Sequence, residues 1–335
     1  MQLSAREAMV CWGRQGSAIR AAVVLASALM LVGLAACGPS DSSTTGGTGL
    51  SGAEGGGAKL RVVATTTQVA DFARNIGGDR VEVTQILKPN VDPHDYEPSP
   101  ADVQAVADAD VVVDNGVGLE RWLDQLISAS GFDGAVTDTS TGLQIRHGDG
   151  GEEEAAGDPH IWHNPQNALI MCRTIAAAFS NADRADATYF AARLATYMAQ
   201  LTALDTWISQ QIDSIPAEQR KLVTNHDALG YYIDRYHLTF VGSIIPSFDT
   251  SAELSGKQLN DLVAKIKSTG VRAIFSESSL PPKTAEAIGR RAGVRVEAGA
   301  DSLYGDTLGP AGSSGATYLD MERHNTTTIV TALKG

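Results

Sequence analysis

A chain of 335 residues with 43% hydrophobic content has enough apolar material for one large core or two smaller ones, which excludes a disordered chain and favours two domains. Its formal net charge of −13 argues against nucleic acid and anionic membrane surfaces as partners and suits a cationic ligand. Two of the three cysteines, Cys11 and Cys37, lie near the N-terminus. Cys172 therefore stands alone, so any metal chemistry must use His, Asp and Glu.

In chain order, Arg6, Arg14 and Arg20 precede an uncharged, mostly apolar run from Ala21 to Ala36. That is the pattern of a secretory leader, and the run is short for a membrane-spanning helix. It ends in Leu34-Ala35-Ala36-Cys37-Gly38, which resembles the lipobox of bacterial lipoproteins. Residues 1–37 then read as the leader and Cys37 as the lipidated N-terminus. Residues 38–58, rich in Gly, Ser and Thr, read as a flexible tether to the membrane. The expected location is outside the cytoplasm, anchored to the cell membrane.

Beyond the tether, strand-like and helix-like segments alternate. Strands are expected at Leu60–Ala64, Val81–Leu87 and Ala109–Asp114, with helices at Gln68–Ile76, Pro100–Ala107 and Leu119–Ala129. The rhythm returns with strands at Lys221–Thr224, Thr239–Gly242, Arg272–Ser276 and Val294–Val296. Between and after these come helices at Leu229–Tyr236, Ser255–Ser268 and Pro282–Ala292. This βα alternation predicts an α/β fold with parallel sheets in two lobes, residues 59–182 and 216–335. Residues 165–215 show no strand signal and break near Asn181-Ala182-Asp183. In the second half, Phe190, Leu194, Tyr197, Leu201, Leu204 and Ile208 recur at three- and four-residue spacing. That predicts one long connecting helix over 183–215, ended by Pro216. The Gly148–Gly157 segment, with Glu152, Glu153 and Glu154, reads as an acidic surface loop.

The chemistry rests on histidines. His94 and His160 each follow an Asp-Pro pair, Asp92-Pro93 and Asp158-Pro159, and the proline stiffens the turn that presents the imidazole. His226 follows a predicted strand, at the carboxyl end where α/β sheets place ligands. Asp301 occupies the loop after the last predicted strand. No two of the four share a local motif, so a site built from them is assembled by the fold in the cleft. Taken singly, each histidine is more often a surface or core residue than a ligand. His163 reads as a supporting or exposed residue and His147 as part of the acidic loop. Asp227 and Glu277 are candidates to hold the free nitrogens of ligand imidazoles, and Tyr96, Trp162, Tyr231 and Tyr232 to exclude water. Asn115-Gly116-Val117-Gly118 lacks the third glycine of a dinucleotide turn, and no phosphate loop, GxSxG or HExxH occurs.

The segments VDPHDYEPSP, DPHIWHNP, NHDALGYY, GSIIPSFDTSAELSGKQL and GADSL, in this order, resemble the zinc and manganese solute-binding lipoproteins of ABC importers. The likeness runs from about Leu60 to the C-terminus. It implies two α/β lobes joined by a rigid backbone helix, a metal between them, and no catalysis. It also implies an ABC permease with its ATPase as partners, with a zinc chaperone as a further candidate. Position by position, His94, His160 and His226 match the imidazole ligands and Asp301 the carboxylate. Manganese-type relatives typically carry Glu at the third position. His226 there gives three nitrogen donors and one carboxylate, which suits tetrahedral Zn2+ better than Mn2+. The competing class is a zinc hydrolase in which the carboxylate hangs back as a general base. An anchored adhesin would need no inward-facing histidines.

Overall fold

The computed structural model describes residues 58–148, 156–252 and 255–334. The leader, Cys37, residues 38–57 of the tether and Glu152–Glu154 of the acidic loop lie outside them. No described helix is long and apolar enough to cross a membrane.

The first lobe contains β1 (Leu60–Ala64), α1 (Thr67–Gly77), β2 (Val81–Gln85), α2 (Pro100–Ala107), β3 (Val111–Asp114), α3 (Leu123–Ser130) and β4 (Val136–Asp138). Its strands form one parallel sheet in the order β2-β1-β3-β4. The central strands are near-continuous apolar runs, LRVVA and VVVD, because helices cover both faces. α2 starts where Ser99 and Asp102 form a capping box around Pro100. α3 starts at Leu123 rather than the predicted Leu119 because the Glu120 carboxylate is engaged elsewhere. It accepts the backbone N–H groups of Asn115 (2.8 Å) and Gly116 (3.3 Å) and the Thr65 hydroxyl (2.6 Å), which fixes the preceding turn.

Two helices follow, α4 (Pro165–Ala182) and α5 (Ala187–Asp213). Asn164 caps α4 with Pro165 in its first turn. α5 is 27 residues, about 40 Å, and buries the expected stripe of Phe190, Tyr197, Leu201, Leu204 and Ile208. The second lobe holds β5 (Lys221–His226), α6 (Gly230–Tyr236), β6 (Thr239–Ile245), α7 (Gly256–Thr269), β7 (Ala273–Phe275), α8 (Lys283–Ala292) and β8 (Arg295–Glu297). Its parallel order, β6-β5-β7-β8, repeats that of the first lobe. A final helix not anticipated from the sequence, α9 (Tyr318–Lys334), packs against α5, α1 and β7.

One buried carboxylate ties the helices together. Asp205 of α5 accepts Gln166 Nε2 of α4 (2.8 Å), Arg235 Nε and Nη2 of α6 (3.0 and 2.6 Å) and the Tyr236 hydroxyl (2.9 Å). Burial alone would raise its pKa, but Arg235, Tyr236 and Gln166 together hold it below the usual carboxylate value. Because Arg235 is 40% exposed, part of the interaction is screened. Asp205→Ala is expected to destabilise the metal-free protein by about 1–3 kcal/mol at pH 7, read by urea denaturation. In the wild type this contribution is present above the unfolded carboxylate pKa and fades as pH falls through the lower folded value.

Candidate metal centre

In each Asp-Pro-His turn the aspartate does more than precede a proline. Asp92 Oδ1 accepts the His94 backbone N–H (2.9 Å) and Asp158 Oδ1 accepts that of His160 (3.0 Å), so each histidine is pinned by a carboxylate two residues earlier. His94 lies in the loop after β2, and His160 directly precedes a short 3-10 turn, Ile161–His163. His226 is the last residue of β5, which runs two residues further than predicted.

These three histidines converge. His160 Nε2 and His226 Nε2 are 3.2 Å apart, and the ring centroids of His94 lie 5.5 and 6.0 Å from those of His160 and His226. The fourth member is Asp306, not Asp301. Asp306 Oδ1 lies 3.2 Å from His226 Nε2, 3.4 Å from His160 Nε2 and 4.0 Å from His94 Nε2. One ligand atom from each of the four falls within 4.8 Å of the others. Asp301 ends an exposed 3-10 turn, Gly299–Asp301, and does not join them.

The physical reason is that the chain re-enters the sheet after Asp301. Leu303 bridges Glu277 in parallel, with Ser278 N–H donating to Leu303 O (2.9 Å) and Leu303 N–H to Ser276 O (2.8 Å). The loop at the carboxyl end of that pairing is therefore Tyr304-Gly305-Asp306. The first lobe holds this strap. Gln68 Nε2 donates to Asp306 O (2.8 Å), Asn90 N–H to Thr307 Oγ1 (2.9 Å), and Leu308 N–H to Thr67 Oγ1 (2.8 Å). Gly305 has no room for a side chain, since a Cβ there would come within 2.1 Å of Glu277 Oε2. The apolar pair Leu303-Tyr304 ahead of a Gly-Asp was the available sign that a buried strand precedes Asp306.

His163 turns out to be wholly buried. Nδ1 faces Glu322 Oε1 of α9 (2.9 Å) and Nε2 faces Gly305 O (2.8 Å), so both ring nitrogens are engaged away from the cluster. Trp162 Nε1 donates to the same Gly305 carbonyl (3.1 Å), and its ring lies 5.4 Å from that of His160. Both residues therefore position the strap carrying Asp306. Tyr231 donates to Asp158 O (3.0 Å), whereas Tyr96 packs on Trp122 and Tyr232 pairs with Thr326, both away from the cluster.

Glu277 Oε1 accepts His226 Nδ1 (2.9 Å) and its backbone N–H (3.1 Å), the orienting role anticipated for it. For His160 the corresponding acceptor is Asp158 Oδ1, 2.8 Å from Nδ1. Asp227 holds neither ring, and its Oδ1 is buried without a hydrogen-bond partner. With Nδ1 committed to a carboxylate, both rings point Nε2 at the common centre, the tautomer a cation requires.

Electrostatics sharpen the picture. Burial pushes His94 down to about 3. Burial would also lower His160 and His226, but carboxylates outweigh it, Asp158 and Asp306 raising His160 to about 9, and Asp306 and Glu277 raising His226. Asp306 is fully buried, which would raise its pKa, yet the facing imidazoles, His226 foremost, hold it well below the usual carboxylate range. His94 Nε2 and Asp306 Oδ1 are both buried and have no hydrogen-bond partner. Buried polar atoms rarely stay unsatisfied, and these two face the same point as the other Nε2 atoms, so the arrangement fits a cation held by four donors.

Residues 62–332 match the family described as zinc-uptake complex component A, periplasmic. The chain belongs to this family. Among its relatives is the manganese-binding lipoprotein MntA of Halalkalibacterium halodurans, 32% identical over 313 residues, or 93% of this chain and 97% of that one. The metal ABC transporter substrate-binding lipoprotein ScbA of Streptococcus cristatus is 30% identical over 311 residues, 91% of this chain and 96% of that one. The fold is similar to the periplasmic zinc-binding protein TroA from Treponema pallidum, with TM-score 0.76 and 31% identity, covering 82% of this chain and 99% of TroA.

Proposed function

We propose that this family member captures Zn2+ outside the cytoplasm, using His94, His160, His226 and Asp306, and passes it to the permease and ATPase of an ABC importer. The observation that carries the reading is the buried convergence of four donor atoms from four separate segments, two of which, His94 Nε2 and Asp306 Oδ1, lack any other partner. A capture protein needs such a full set of protein donors. A hydrolase needs an open coordination position for water, and the Asp306 oxygen at 3.2–3.4 Å from two imidazole nitrogens takes that position.

Zinc is supported by the donor set and its spacing. Four ligands at bond lengths of about 2.0–2.1 Å in a tetrahedron are about 3.3–3.4 Å from one another. Three of the separations here are 3.2, 3.2 and 3.4 Å, while the 4.0 Å separation from His94 leaves that residue to close the shell by a small movement of its loop. Manganese favours more oxygen donors and six-coordination. It remains the competing cargo because MntA is named for manganese. Lipid anchoring through Cys37 belongs to the same proposal, since both MntA and ScbA are described as lipoproteins and Leu34-Ala35-Ala36-Cys37 stands where an anchor would be attached.

Because nearly any nitrogen-rich site prefers zinc to manganese in a test tube, affinity alone does not decide the cargo. The protein isolated from membranes of its own cells, analysed by plasma mass spectrometry, is expected to carry zinc in stoichiometric amount. Predominant manganese would overturn the choice of metal, and no bound metal the reading itself.

A further inference from the structure

Arg146 stands outside the four-donor cluster and outside every motif in the sequence, yet it touches the support of His160 and the helix that follows His226. It lies in the segment after β4, and its guanidinium spans the seam between the lobes. Nη1 donates to Asp158 Oδ2 at 2.7 Å, and Nε donates to Asp234 Oδ2 at 2.8 Å. Asp158 is the fully buried carboxylate whose other oxygen receives the His160 backbone N–H and Nδ1. Asp234 belongs to α6, the helix that begins four residues after His226. The main chain reinforces the junction: Arg146 N–H donates to the Tyr231 hydroxyl (2.9 Å), and Asp158 N–H donates to Arg146 O (2.7 Å).

We propose that Arg146 is a positioning residue for metal capture, holding the Asp158 carboxylate so that His160 presents Nε2, and fixing that turn against the helix that follows His226. The inference rests on the capture function proposed above. Its logic is one of occupancy. Asp158 is 0% exposed, so both of its oxygens need donors; His160 supplies those for Oδ1, and Arg146 supplies the one for Oδ2. Without the guanidinium, Oδ2 is left buried and unpaired, and the carboxylate gains by rotating away from His160. The second arm, to Asp234, sets the spacing between the two ligand-bearing segments, whose Nε2 atoms are 3.2 Å apart.

Gly230, the first residue of α6, provides a way to disturb the guanidinium without removing it. A Cβ at this position would lie 1.9 Å from Arg146 Nη1, 2.3 Å from its Cζ and 2.8 Å from Asp158 Oδ2, so Gly230→Ala must displace the far end of the arginine and press on the ion pair it makes with Asp158, while alanine itself favours the helix. The experiment uses the full chain loaded with Zn2+ and follows its transfer to a chelator, alongside the 15N spectrum of the His160 ring in the metal-free protein. Arg146→Gln is expected to weaken zinc retention by about 10–100-fold, the usual consequence of losing a group that orients a ligand. Gly230→Ala is expected to shift retention the same way, and both variants should move the His160 ring resonances. Wild-type retention and unmoved resonances in folded Arg146→Gln or in Gly230→Ala would overturn the inference. Failure of the wild type itself to hold zinc would instead overturn the function on which it rests.

Discussion

Asp306→Ala is expected to abolish high-affinity metal binding, whereas Asp301→Ala leaves it unchanged. Structural zinc sites at neutral pH are worth about 10–16 kcal/mol spread over four ligands, so one ligand carries about 3 kcal/mol, or more than about 100-fold in affinity. Asp306 is also the anion facing the Nε2 atoms of a cluster in which His160 and His226 are driven towards the charged form, so its loss leaves those nitrogens facing one another with carboxylates only on the far side of each ring. Asp306→Asn, which keeps an oxygen donor but not the charge, should fall between wild type and alanine. Asp301 is exposed in its 3-10 turn and offers nothing to the centre. Calorimetric titration of the two alanine variants with Zn2+ separates the assignments. Wild-type affinity in Asp306→Ala, or loss in Asp301→Ala, would contradict the geometry.

The five-residue displacement between those two aspartates shows which parts of this molecule can be read locally. The Asp-Pro-His turns were legible because everything that stiffens them lies within three residues: the proline and the aspartate that accepts the histidine N–H. The central strands were legible as apolar runs. Asp306 was not, because what makes its strap a buried element is supplied by Gln68, Thr67 and Asn90, more than two hundred residues away, and by a single bridge to Glu277. β4 escaped for a different reason: it is a three-residue edge strand, VTD, with two exposed positions. α9 escaped because polar side chains, Glu322, Asn325, Thr326 and Thr328, interrupt the middle of its buried face. Glu322 answers His163, Asn325 exchanges two hydrogen bonds with Tyr304, and Thr326 meets the Tyr232 hydroxyl, so the apolar period that marks a helix is interrupted where packing is tightest. The same pairing explains His163, whose partner lies 159 residues further on. Asp158 is legible as the residue before a proline, but its role as the His160 Nδ1 acceptor depends on how the folded turn brings ring and carboxylate together.

The pH response of metal capture follows from the protonation of the empty centre. Unperturbed imidazoles would predict that affinity fails only as pH drops through about 6.5. Here Asp158 and Asp306 lift His160 to about 9, against the effect of burial, so in the metal-free fold the cluster carries a proton throughout the neutral range. His226 is raised as well, but its Nε2 is 3.2 Å from that of His160, and two protonated nitrogens at that distance repel. One proton is therefore assigned to the triangle of the two Nε2 atoms and Asp306 Oδ1, and His94, at about 3, carries none. A cation must displace that proton, so apparent affinity should fall about tenfold for each unit that pH drops below about 9, or about a thousandfold from pH 8 to pH 5. Stability takes the opposite sign in the empty protein. A raised histidine pKa stabilises the fold fully below the unfolded value of about 6.5, and that contribution disappears as pH climbs through about 9. The depressed Asp306 contributes above the unfolded carboxylate value of about 3.9 and is lost as pH falls through its lower folded value. The metal-free protein thus loses the His160 contribution as the loaded protein gains affinity, and the rise in melting temperature on adding Zn2+ should widen steadily from pH 6 to pH 9. Paired thermal scans with and without zinc, together with proton release counted by calorimetry in buffers of different ionisation enthalpy, measure both halves. A constant interval across that range, with no proton released at pH 7, would show that the empty centre is already deprotonated and that the carboxylates do not control it.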